Sequence, residues 1–115
     1  MALSNPHDKA HELARSIKES PAFQRYLAAK RVVDQNPAYK DKILRVRGRQ
    51  MELNRAHILG QELPADLMSE LSQQLAEVRQ YAEINDFFDA ESHFINLFQD
   101  IQSIIQNALD ADLKD

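Results

Sequence analysis

His7 and His11 stand four residues apart, a spacing that can bring two imidazoles on one helical face to a shared metal ion. The intervening Asp8, Lys9 and Ala10 lack the glutamate that a helical zinc-protease motif uses as its general base. The pair therefore reads as surface histidines on a first helical turn, with no metal site expected. His57 and His93 are isolated, and His93, beside a run of aromatics, reads as a boundary residue. Asp86, Asp89 and Glu91 supply carboxylates. Asp89 and Glu91, however, lie two apart on a helix and point in different directions, so they cannot serve one reacting atom as acid and base. There is no serine on a glycine elbow, no glycine-rich phosphate loop and no zinc motif. Cysteine is absent altogether, which removes disulfides, thiolate zinc sites and cysteine-held iron–sulfur clusters from what this chain can build. No catalytic residue, metal or cofactor is expected, and the chain reads as a non-enzyme.

The remaining chemistry is charge. Lys40, Lys42, Arg45, Arg47, Arg49 and Arg55 form a basic stretch in which Lys42, Arg45 and Arg49 share one helical face, a geometry able to meet successive phosphates of RNA. Yet the net charge is −4 and the pI about 5.5. Residues 21–60 hold nine Lys/Arg against Asp34, Asp41 and Glu52, while residues 61–115 hold only Arg79 and Lys114 against twelve acids. Two faces of opposite sign are expected to pair within the fold or between subunits. Contact of Lys42, Arg45 and Arg49 with an acidic protein partner or with RNA is the alternative use of that face, nucleic acid being the less favoured.

These residues need elements to position them, and the helix starts are legible. Asn5-Pro6, Ser20-Pro21 and Asn36-Pro37 each set a capping side chain before a proline at the first helical position, where its missing N–H is harmless. Helices are predicted over about 6–19 (Ala10, Leu13, Ala14 and Ile17 to one side) and 21–35 (Phe23, Leu27 and the Lys30 stem). A third runs from Pro37 to Leu59, ended by Gly60, with Tyr39, Ile43, Val46, Met51, Leu53 and Ile58 on its apolar side. Gly48 within it marks either a close helix crossing or a tolerated defect of about 1 kcal/mol. A fourth helix, from Pro64 to about Ile84, carries Leu67, Leu71, Leu75 and Val78 as a seam and folds back on the third as an antiparallel hairpin. Asn85-Asp86 then caps a last helix over about 86–110. The expected fold is all-α, a bundle of about five helices in one domain spanning 1–115.

That last helix decides the functional reading. Phe87, Phe88, Phe94, Ile95, Phe98, Ile101 and Ile105 cover more than a narrow stripe, on a helix about 37 Å long, more than so small a domain easily covers on two sides. These seven are the expected interface of a homo-oligomer, a dimer or larger, with a further protein partner unidentified. The N-terminus lacks the basic and apolar segments of a signal peptide, and no run approaches the roughly 20 apolar residues that span a bilayer, so a cytoplasmic protein without membrane contact is expected.

The segments, taken in order, resemble the YlbF/YmcA family of small helical bacterial regulators, and most closely its cysteine-free YheA-type, UPF0342-like branch. The stretches carrying the resemblance are Ala10 to Ser20 (AHELARSIKES), the turn Gly60-Gln61-Glu62-Leu63-Pro64, Asp89-Ala90-Glu91, and Leu97 to Ile105 (LFQDIQSII). It implies an all-helical oligomer from a Gram-positive-type bacterium. It also implies a role near competence, sporulation and biofilm development, in which YlbF and YmcA act in a complex assisting ribonuclease Y. Those two relatives contribute cysteines to iron–sulfur clusters; this chain has none, so that role does not carry over.

Overall fold

Each proline-led helix start forms as its local chemistry dictates. In the computed structural model, which describes residues 5–114, five helices follow one another: α1 (Pro6–Glu19), α2 (Pro21–Asp34), α3 (Pro37–Ile58), α4 (Ala65–Arg79) and α5 (Ala82–Leu113). Asn5 Oδ1 accepts the His7 N–H at 2.9 Å, and Asn36 Oδ1 accepts the Tyr39 N–H at 3.2 Å. Ser20 Oγ both accepts from the Phe23 N–H at 3.3 Å and donates to the Ile17 carbonyl at 2.6 Å, closing α1 and opening α2 with one side chain. α3 ends in a Schellman motif. Gly60 takes φ +69°, its N–H bonds the His57 carbonyl and the Gln61 N–H bonds the Ala56 carbonyl, so two carbonyls left open by the helix end are satisfied.

The boundary between α4 and α5 differs from the sequence reading. The chain breaks at Gln80 and Tyr81, not at Asn85, where Gln80 and Tyr81 N–H groups bond three residues back to Glu77 and Val78. Asn85 lies inside α5 and accepts a hydrogen bond from Arg79 at 2.8 Å instead of capping a helix. Val78 and Ile84, six residues apart, would fall on different faces of one continuous helix, yet both are buried. Tightening the backbone at Gln80 resets the phase so that both reach the core. The resulting α5 has 32 residues and is about 48 Å long.

The chain divides into two compact units. One is Ala29–Phe88, so it takes the end of α2, all of α3 and α4, and the start of α5. Its core is Ala29 and Val33 from α2, Ile43 and Val46 from α3, Leu71 and Val78 from α4, and Ile84 and Phe87 from α5. The α3–α4 hairpin is antiparallel. Lys42 pairs with Glu77 at 3.4 Å, and Arg49, two turns on along α3, pairs with Glu70, two turns back along α4, at 3.3 Å. Leu67 and Leu75 of the expected α4 seam are half-buried. Two residues expected on the apolar side of α3 are not in the core: Met51 and Ile58 are exposed. The seam continues from Val46 to Leu53, seven residues on, and Met51 lies well round the helix from that line. At Gly48 an added Cβ meets nothing within 4 Å among the described residues, so no other helix of its unit crosses there.

The other unit comprises the described residues through Ala28 together with those from Asp89 onward. Phe94 organises it. Its ring lies edge-on to Phe23 at 5.2 Å, stacks on Tyr26 at 5.5 Å and touches Phe98 at 6.2 Å. Tyr26 donates its hydroxyl hydrogen to Glu91 at 3.3 Å, and Arg25 lies 3.0 Å from His93 Nδ1. Among the described residues, Ala90 is the only buried hydrophobic of this unit, and α1 contributes none, with Leu13 and Ile17 half-buried.

Candidate interaction surface

The seven apolar residues expected at an interface separate into three groups. Phe87 is 5% exposed, packed in the core of Ala29–Phe88 with the Arg47 guanidinium 5.5 Å from its ring, and so is not available to a partner in this fold. Phe88 is half-buried under Arg79 at 5.4 Å, its ring 5.8 Å from Phe87. Phe94 is half-buried in the aromatic cluster and Ile101 is half-buried farther along. Ile95, Phe98 and Ile105 are exposed.

The helix that carries them explains the sorting. One face of α5 is buried at Ile84, Phe87 and Ala90, is partly covered at Phe94, and then continues with the same helical phase through Phe98, Ile101, Ile105 and Leu109 without full cover. Ile104 and Leu113 widen it and are 69% and 76% exposed. Sequence reasoning omitted Leu113 and placed the helix end short of it; no glycine or proline follows to signal where α5 stops. Gln99, Gln102, Ser103 and Gln106 line a polar strip beside it, so α5 stays amphipathic to its end.

The three basic candidates are engaged by carboxylates. Lys42 meets Glu77 and sits 5.3 Å from the Tyr81 ring; Arg45 pairs with Asp41 at 3.2 Å; Arg49 pairs with both Glu52 and Glu70. Exposed pairs of this kind are each worth at most about 1 kcal/mol, so their effect is to neutralise the basic side of α3 more than to hold the hairpin together. His7 and His11 are exposed on the first turns of α1. Among the described residues no group of three or more His, Cys, Asp or Glu is arranged to hold a metal ion, and no helix is long and apolar enough to cross a membrane.

Residues 7–110, from the start of α1 nearly to the end of α5, match the family described as control of competence regulator ComK, YlbF/YmcA. The chain belongs to that family. This YlbF/YmcA member is 30% identical to a UPF0342 protein of Caldicellulosiruptor saccharolyticus over 113 residues, covering 98% of this chain and 92% of that one. It is 34% identical to a UPF0342 protein of Symbiobacterium thermophilum over 107 residues, covering 93% and 96%. A solved structure, a protein of unknown function (DUF964) from Bacillus stearothermophilus, shares the fold with a TM-score of 0.80 at 20% identity, covering 90% of this chain and 91% of that one. The family is a regulatory one by its description and not a known enzyme family.

Proposed function

We propose that this YlbF/YmcA member is a non-enzymatic regulatory adaptor that self-associates through the far half of α5 and acts by protein–protein contact. Family membership supports control of competence as the process it serves, and the resemblance to YlbF and YmcA extends this to sporulation or biofilm formation. The observation that carries the reading is the exposed apolar face of α5 at Ile95, Phe98, Ile104, Ile105, Leu109 and Leu113, in a unit where Ala90 is the only buried hydrophobic among the described residues. Helices that leave so much apolar surface in water gain about 25 cal/mol for each Å² a second copy covers. Pairing two such faces supplies the core that this unit lacks by itself.

Multi-angle light scattering at micromolar concentration tests the reading directly. A species of at least twice 13.2 kDa is expected. Phe98→Glu with Ile105→Glu should return it to the monomer with helicity retained; a wild-type chain that is strictly monomeric would contradict the proposal. RNA contact through Lys42, Arg45 and Arg49 is disfavoured by the carboxylates that engage all three. Salt-dependent RNA binding lost when these three become glutamine would reverse that preference.

A further inference from the structure

Three large apolar side chains stand on the outside of α3 at seven-residue intervals: Leu44, Met51 and Ile58, exposed by 59%, 71% and 81%. Successive members are two turns apart, so they form one line about 21 Å long, separate from the buried seam of Ile43 and Val46. Gly48 lies in the gap between Leu44 and Met51, exposed, with open space where its Cβ would be. A mid-helix glycine is disfavoured relative to alanine, and no close packing among the described residues accounts for it. Its effect is to leave bare backbone between two apolar side chains, where another helix can approach more closely than side chains otherwise allow. The positions of α3 three or four residues from the apolar line are Lys40, Asp41, Arg47, Gly48, Asn54 and Arg55, of which Arg47 lays its guanidinium on the buried Phe87 ring and leaves Lys40 and Arg55 as the cations of the border. The one carboxylate at these positions, Asp41, is taken up by Arg45, whereas Arg55, set between Met51 and Ile58, has no ion-pair partner among the described residues.

We propose that this line is a docking site for an amphipathic helix of a partner protein, apolar at heptad spacing and flanked by Asp and Glu. The seven-residue interval selects a helix lying nearly along α3, because only that alignment keeps one seam in register over two heptads. The cationic border selects the sign of its flanks. The site shares no residue with the α5 face, so each can be altered without touching the other.

Two synthetic peptides of three heptads, with leucine at the a and d positions and either Glu or Lys at all flanking positions, test it by fluorescence anisotropy against the full chain. The Glu peptide is expected to bind at least about tenfold more tightly than the Lys peptide. Met51→Ser and Ile58→Ser should each weaken it by about tenfold, with unchanged circular dichroism. Arg55→Glu should narrow the preference between the peptides. Gly48→Gln is the most discriminating variant. It should raise the thermal midpoint of the chain by improving helix propensity while abolishing peptide binding by filling the gap. Equal affinity for the two peptides, or binding indifferent to Met51→Ser, Ile58→Ser and Gly48→Gln, would overturn the proposal. So would loss of self-association in the Met51 and Ile58 variants, which would make a second copy the occupant. Binding that persists in the Phe98→Glu, Ile105→Glu chain would show that the two surfaces act separately.

Discussion

At the scale of single residues, the two glycines have opposite roles. Gly60 adopts φ +69° and ends α3, so Gly60→Ala forces a side chain into the left-handed region and should destabilise the chain by about 1–2 kcal/mol in urea denaturation. Gly48 is helical with nothing near its absent side chain, so Gly48→Ala should stabilise by about 1 kcal/mol in the same experiment. If both substitutions moved stability in one direction, the assignment of a cap to one and a vacant helical face to the other would be wrong. Asp34 gives a pH dependence. The Lys30 ammonium, hydrogen-bonded at 2.6 Å, holds its carboxyl below the ordinary aspartate value of 3.8. A depressed pKa means that the pair's stabilisation is in place above pH 3.8 and is lost as pH falls through the lower folded-state value. Carboxyl NMR titration should find the Asp34 midpoint below 3.8 and returning upward in Lys30→Gln.

At the scale of helices, α5 has two regimes along its length, enclosed near its start and open near its end. Ile84 is fully buried, so Ile84→Ala should cost about 2–5 kcal/mol through lost transfer energy and an unfilled cavity. Ile104 is 69% exposed, so Ile104→Ala should change the stability of a single chain by no more than about 0.5 kcal/mol while weakening self-association. Chemical denaturation at low protein concentration, read beside light scattering at high concentration, separates the two effects. An Ile104 variant that lost chain stability without altering association would place that residue in a core and remove it from the proposed interface. The helix starts were legible because Asn-Pro and Ser-Pro act within three residues: Asn5, Ser20 and Asn36 each accept an N–H of the turn that follows. The α4–α5 boundary was not, because Gln80 and Tyr81 carry no breaking chemistry of their own. There the need to bury both Val78 and Ile84 decides where the backbone tightens.

At the scale of the whole chain, α2 and α5 each contribute residues to both compact units. Breaking a helix in its interior sacrifices consecutive hydrogen bonds, so we expect the chain to unfold as one domain. Calorimetry should show a single transition whose calorimetric and van't Hoff enthalpies agree, and two resolved transitions would disprove this. The opposite charges of residues 21–60 and 61–115 meet partly within one unit, where Lys42 and Arg49 of α3 face Glu77 and Glu70 of α4. That pairing was foreseeable in sign from composition, but its register was not, since only the closed hairpin sets which carboxylate lies opposite which cation.

The amino-acid sequence by itself determined the helical class, the three proline-led helix starts, the stop at Gly60 and the apolar excess of the final helix, because each depends on residues within a turn or two of one another. Tertiary structure alone decided which apolar residues are core. Phe87 and Ile105 stand on one face of the same helix, yet Phe87 is enclosed and Ile105 is open to solvent. Periodicity says which side of a helix is apolar, but only the presence or absence of a neighbouring helix at that height determines whether water is excluded from it.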